Sequence, residues 1–173
     1  VEEIELNKYQ ELNKLFIGNA FVEYLALGKL KNIAYIASQR LNKISNGHYA
    51  LTVNESGDFL IIDNFNNGET RRSATLSGGE SFLVSLSLAL ALSSQIQLKS
   101  KSSLEFFFLD EGFGTLDNQL LDRVISSLES LRDNEKMNIG LITHVEELKE
   151  RVPRKLIVNP PISGECGTKV NLI

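Results

Sequence analysis

Two short segments hold most of the side chains able to do chemistry. Leu76-Ser77-Gly78-Gly79-Glu80 sets a hydroxyl and a glycine pair at the head of a long apolar stretch. Asp110-Glu111 closes the run Phe106-Phe107-Phe108-Leu109, with Asp110 standing 33 positions after Ser77. A serine-glycine turn that opens a helix leaves several backbone N–H groups unpaired, and these face a docking anion together with the positive end of the helix dipole. Glu80 at the start of that helix also suits the dipole. Adjacent carboxylates at a strand end suit phosphoryl transfer, the first holding magnesium, usually through a water, and the second polarising an attacking water. Together the segments read as one half of an ATP site. Each has a plainer reading too: a glycine turn that merely caps a helix, and a strand that ends in polar residues.

His144 lies 34 positions after Asp110, directly behind another short apolar run. If both runs are neighbouring parallel strands, their C-terminal ends open on one crevice, and an imidazole N–H there can donate to a phosphate oxygen. The commoner fate of a lone histidine is a satisfied place in a core. His48, inside an alternating stretch, reads as structural. Gly112-Phe113-Gly114-Thr115-Leu116-Asp117 is a glycine-flanked loop that can hold Asp117 beside the site. A Gly-x-x-x-x-Gly-Lys-[Ser/Thr] phosphate loop is missing, since the single Gly-Lys pair, Gly28-Lys29, has Glu23 and Leu30 where that pattern needs glycine and a hydroxyl residue. Arg71, Arg72, Lys99 and Lys101 read as solvated surface, while Arg151, Arg154 and Lys155 are a weak signal for a phosphate backbone.

These groups need a scaffold, and the chain predicts an α/β one. At 173 residues and 42% hydrophobic it can bury one ordinary core, and a formal charge of -4 argues neither for nor against nucleic acid. The single cysteine, Cys166, excludes an internal disulfide, leaves no metal-binding pair, reads as inert and fits a reducing cytoplasm. The apolar stretch 82–92 falls short of the roughly 20 residues of a membrane span. Residues 1–17, with Ile4, Leu12, Leu15 and Phe16, read as the end of a coiled coil, and the rest, 18–173, as one lobe. A helix over 19–44 stops at Gly47; a β-hairpin follows over 48–53 and 59–63, with a further turn at 66–68. The helix from 78 to 98 is apolar nearly all round, with Phe82, Leu83, Leu86, Ala89, Leu90 and Leu92 expected in the core. The run 104–109 is too apolar for anything but a buried strand. Asn118 is the expected N-cap of a helix carrying Leu120, Leu121, Val124, Ile125, Leu128 and Leu131. Strands at 138–143 and 155–158 flank a short acidic helix, and the alternation implies a parallel sheet with right-handed crossovers. Beyond Pro160 the tail holds turn residues and then an edge strand.

In order and spacing these residues resemble the C-terminal half of the ATPase head of the SbcC family, coiled-coil ABC ATPases that work with a nuclease on DNA ends. LSGGE at 76–80 is similar to the ABC signature, FFFLDE at 106–111 to Walker B, Thr115-Leu116-Asp117 to the D-loop and Thr143-His144 to the switch histidine. DEGFGTLD at 110–117 points to SbcC rather than to transporters, which usually have Asp-Glu-Pro there, and RLNKISNGHYALTV at 40–53 is similar to the segment leaving the coiled coil. The resemblance covers essentially the whole chain. It implies a P-loop NTPase-like fold, ATP and magnesium, and an ATP-binding set of Ser77, Gly78, Gly79, Glu80 and Asp117. Asp110 would serve the metal shell, Glu111 would orient the attacking water, and His144 would sense the γ-phosphate. It also implies four partners: an N-terminal lobe of the same protein carrying the phosphate loop, a second head, an SbcD-like nuclease subunit and DNA, with no membrane. The missing phosphate loop and the start at Val1 read as a C-terminal piece, inactive by itself. Other coiled-coil ABC ATPases, of the chromosome-structuring or recombination kind, are the alternative, and a non-catalytic docking lobe is a third reading.

Overall fold

A computed structural model describes residues 2–99, 105–135, 137–152, 154–161 and 167–173. Cys166, Lys101 and Leu104 lie outside the described residues, as do the side chains of Leu15, Lys99 and Leu131.

Helix α1, Glu2–Phe16, presents Ile4, Leu6, Tyr9, Leu12 and Phe16 to solvent. After Gly18 at φ +74° the chain enters α2, Ala20–Ile44. Its Ala34, Ala37, Leu41 and Ile44 recur at three- and four-residue steps and form one buried stripe. The helix is closed by the Ser45 amide donating to Leu41 O (2.8 Å) and the Gly47 amide to Asn42 O (2.7 Å). Asn46 and Gly47 both take left-handed φ, so the stop expected at Gly47 uses the pair. Strands β1, Tyr49–Val53, β2, Phe59–Asp63, and β3, Glu69–Arg72, form an antiparallel meander with Tyr49 opposite Asp63 and Ile61 opposite Arg71. Leu51, Val53 and Ile61 face the core on alternate positions, and Ser38 Oγ accepts the Leu51 amide (2.8 Å), tying α2 to the sheet.

Helix α3, Gly78–Lys99, packs across α2. Leu83, Leu86, Ser87, Leu90 and Ala91 are buried, but Ser85, Ala89, Leu92 and Ile96 form an exposed stripe at helical spacing. This corrects the expectation that Ala89 and Leu92 are core: α3 is covered toward α2 and the loop after β4, and this stripe faces away from both. The stretch Gly78–Gln97, longer than the apolar run 82–92, is by length and composition alone long and apolar enough to cross a membrane (mean hydropathy 1.3). In this fold its buried face belongs to the protein core.

Strands β4, Phe106–Asp110, and β5, Asn138–Ile142, pair in parallel with Asp110 opposite Ile142, connected through α4, Asn118–Glu135. Phe107 and Leu109 join the core, whereas Phe106 and Phe108 are 58% and 69% exposed. The run is therefore not a strand buried on both faces, because the helices cover one face and leave the other bare. A further correction concerns the last strands. Past α5, Glu146–Arg151, strand β6, Leu156–Asn159, pairs with β7, Lys169–Leu172, as an antiparallel ribbon. Its hydrogen bonds are taken by the chain's own tail, so among the described residues the parallel sheet has two strands.

Leu41 is completely buried where α2 meets the core cluster. Leu41→Ala is expected to lower unfolding stability by about 2–5 kcal/mol, read as a lower urea midpoint at unchanged slope.

Candidate functional site

Ser77 caps α3 through a reciprocal pair: its Oγ accepts the Glu80 amide (3.3 Å), and Glu80 Oε2 accepts the Ser77 amide (2.7 Å). Glu80 Oε1 accepts two further donors, the Tyr49 hydroxyl at 2.5 Å and Arg71 Nη2 at 3.1 Å. Burial opposes ionisation of Glu80, but the Tyr49 hydroxyl, the Ser77 amide, Arg71 and the Ser77 hydroxyl outweigh it and bring the carboxyl down to about 2. Burial and the bond to Glu80 push Tyr49 up to about 12, and the bond to Glu80 also raises Arg71. Arg71 is thus no solvated surface residue: it reaches Asp63 at 3.5 Å and lies over the Tyr49 ring, 5.7 Å from its centroid. Its partners come from β1, β2 and α3, a convergence that no local pattern announces. His48, read from the sequence as structural, is stacked between Tyr49 and Phe65 with Nε2 3.2 Å from Asp63, and it also lines the cleft of Ser77 and Gly78.

The signature glycines do more than free their amides. A Cβ on Gly79 would sit 3.1 Å from the Thr115 carbonyl oxygen, and one on Gly78 would sit 3.3 Å from Thr115 Cγ2. Only a bare backbone lets α3 begin against the loop 112–117. On that loop Asp117 Oδ1 accepts the Leu120 amide (2.8 Å), so Asp117, not Asn118, is the N-cap of α4. Two adjacent residues could both cap, and the helix begins at Asn118, one position earlier than a cap at Asn118 would have it.

At the end of β4 the Glu111 amide donates to Ile142 O (2.9 Å), carrying the ladder one residue past Asp110. Glu111 then takes φ +58° and Gly112 φ +95°, two left-handed residues that turn the chain out of the strand. A Cβ on Gly112 would lie 2.6 Å from two carbons of the Phe82 ring, and Phe82 also packs edge-on against buried Phe113 (5.1 Å). The turn aims Glu111 at the next strand end, where His144 Nδ1 lies 2.7 Å from Glu111 Oε2. Both side chains remain open to solvent. With Nδ1–H engaged, Nε2 can donate to a phosphate only in the doubly protonated ring; in the neutral ring it accepts. Arg151 pairs with Asp122 on α4, which removes it from the basic group considered for a phosphate backbone.

The expected site residues fall into two groups. Ser77, Gly78, Gly79, Glu80 and Asp117 line one cleft of about 540 Å³, together with Tyr49, Thr115 and Arg123. Asp110, Glu111 and His144 are outside that lining and gather at the sheet end instead. Among the described residues no group of three or more His, Cys, Asp or Glu side chains could hold a metal ion. Asp110, exposed at the strand end, fits magnesium as one oxygen ligand among phosphate oxygens and waters. Arg71, Tyr49 and Arg123 are the site residues that sequence reasoning missed. The turn at 66–68 signals a third strand bearing Arg71, but nothing in the spacing signals its carboxylate.

A family profile described as SbcC/RAD50-like, Walker B motif, matches residues 49–130. The chain is 51% identical over 170 residues to the SbcC subunit of the SbcCD nuclease of Clostridium acetobutylicum, covering 98% of this chain and 14% of that protein. It is 49% identical over 177 residues to the SbcC subunit of the SbcCD nuclease of Bacillus subtilis, covering 98% of this chain and 16% of that one. The chain therefore spans a small part of the length of the curated relatives it matches. Its fold is similar to part of an Smc head domain from Pyrococcus furiosus, solved with an extended coiled coil and bound to the C-terminal domain of ScpA. The two superpose with a TM-score of 0.64 at 17% identity over 99% of this chain and 42% of that one.

Because the Glu80 carboxyl is depressed from 4.5 to about 2 in the fold, its stabilisation is complete above the unfolded value and is lost as pH falls through the folded one. Stability is expected to drop by roughly 1–3 kcal/mol across that acid window, and Glu80→Gln to flatten that part of the curve in denaturant titrations. Gly112→Ala combines a left-handed φ with contact on Phe82 and is expected to cost more than about 1 kcal/mol, read by calorimetry.

Proposed function

The chain belongs to the SbcC/RAD50-like family, and from that premise we propose that it is the C-terminal lobe of an ABC-type ATPase head in an SbcC-like nuclease subunit. In this reading residues 1–17 end a coiled coil and 18–173 form the lobe. ATP hydrolysis between two such heads governs access of an SbcD-like nuclease subunit to DNA ends in the cytoplasm. The observation that carries the two-head reading is the separation of the site. The signature turn and the Asp110-Glu111-His144 group do not share a cleft, as expected if each serves a different nucleotide.

At the sheet end, Asp110 offers an oxygen to magnesium, which when bound neutralises phosphate charge. Glu111 accepts a hydrogen bond from the attacking water and orients it. His144, with Nδ1 beside Glu111, would donate from Nε2 to a phosphate oxygen as the doubly protonated ring. On the other surface the first-turn amides of α3 and the Ser77 hydroxyl meet the γ-phosphate of a nucleotide held by the partner head. Asp117, fixed as the cap of α4, stands beside them at the interface. An N-terminal lobe with a phosphate loop supplies the remaining grip on ATP, and the bare Phe106-Phe108 face and the exposed β6-β7 ribbon suit its docking.

The test is turnover by this chain alone and after mixing with an N-terminal lobe that carries the phosphate loop. Activity is expected only on mixing. Glu111→Gln is expected to reduce turnover at least about 100-fold while ATP-driven association of heads persists. Unchanged turnover in that variant would remove Glu111 from the chemistry; turnover by the chain alone would require a phosphate site elsewhere.

A further inference from the structure

We propose that Tyr49 and Arg71 are positioning residues for the signature turn, acting on Ser77 through the Glu80 carboxylate. The proposal rests on the reading of Ser77 as a phosphate contact and adds to it the residues that aim the contact. A capping box needs only its own two residues. Here the Glu80 carboxylate takes two further donors, the Tyr49 hydroxyl from β1 (2.5 Å) and Arg71 Nη2 from β3 (3.1 Å), both on Oε1. Oε2 is left to the Ser77 amide at 2.7 Å. The carboxylate is thus pinned from the sheet side and cannot swing off the turn without breaking bonds to two separate strands.

The consequence for Ser77 is directional. Its amide is committed to Glu80 Oε2, and its Oγ already accepts the Glu80 amide. The Ser77 hydroxyl also helps hold the Glu80 carboxylate ionised, so the placing of that carboxylate sets where the hydroxyl points, and the first-turn amides of Gly78 and Gly79 stand beside it. Loosening Glu80 would free the Ser77 amide to compete for the anion and let the hydroxyl rotate, spoiling the direction of the contact while leaving the nucleotide's own lobe untouched. Arg71 in turn approaches Asp63 (3.5 Å) and lies over the Tyr49 ring, so the brace has contacts on its far side as well.

The experiment uses the full-length protein. Tyr49→Phe keeps the ring and deletes one hydrogen bond; Arg71→Met deletes the charge; Arg71→Lys restores the charge with a single ammonium donor. ATP affinity of separate heads at low protein concentration is expected within twofold of wild type in all three. The protein concentration for half-maximal ATP-driven head association is expected to rise about tenfold in Tyr49→Phe and Arg71→Met, with Arg71→Lys between them and wild type. Exchange of the Ser77 amide is expected to quicken by a similar factor, with melting temperatures near wild type. Wild-type association and wild-type exchange in Tyr49→Phe and Arg71→Met would overturn the proposal. So would a parallel loss of melting temperature and single-head ATP affinity, which marks a general brace of the fold. If the wild-type heads never associate on ATP, the functional reading falls, and Ser77 exchange in the same variants still decides whether Tyr49 and Arg71 hold the turn.

Discussion

The site depends on how closely the first turn of α3 approaches the loop that follows β4. The Thr115 carbonyl oxygen stands 3.1 Å from the place of a Gly79 Cβ, and the Phe82 ring fills the place of a Gly112 Cβ at 2.6 Å. Side chains at either glycine would wedge the helix away from the loop. With the backbones in contact, the signature turn and Asp117 share one cleft, while the buried Phe113 anchors the loop from below. Phe82, in the first turns of α3, touches the residue next to Glu111, so the two groups of site residues are mechanically joined although they face different spaces.

A second constraint comes from charge. Glu80 sits where helix capping, a sheet cation and a phenol converge, and the result is a carboxylate that stays ionised well below neutrality. Arg71, Asp63 and His48 extend this set to the far strands of the meander. Because β1 follows the end of α2 after a turn of two left-handed residues, the set also fixes how the long helix meets the signature turn. The meander is both a wall of the core, through Leu51, Val53 and Ile61, and an anchor for that turn.

Local pattern was enough for much of this. The lower half of the α2 stripe, the hairpin around Gly57 and the shared strand ends of Asp110 and His144 follow from periodicity and strand order, whereas Phe21, Tyr24 and Leu25, expected on the same face of α2, are exposed. What escaped was decided by partners distant in sequence. Arg71 looks solvated until the bend at 73–77 brings α3 back across β3. Phe106 and Phe108 look buried because their composition is that of a two-sided strand, yet the cover for their face is not supplied by any described residue. Strand β6 looks like a third parallel strand until the tail claims its hydrogen bonds. Asp117 and Asn118 are equally good caps on composition, and the geometry of the preceding loop chose between them.

Glu111 occupies a backbone conformation in which side chains other than glycine, asparagine and aspartate are uncommon. Its retention there sets two selective pressures against each other. A library of this chain screened for resistance to heat would drift toward glycine or asparagine at 111, since either relaxes the backbone by on the order of 1 kcal/mol. On the role proposed for Glu111, a library screened for turnover would keep the glutamate. The site thus offers a direct gauge of how much conformational comfort evolution gives up to place one carboxylate, and stability-guided engineering of this lobe should leave that position untouched.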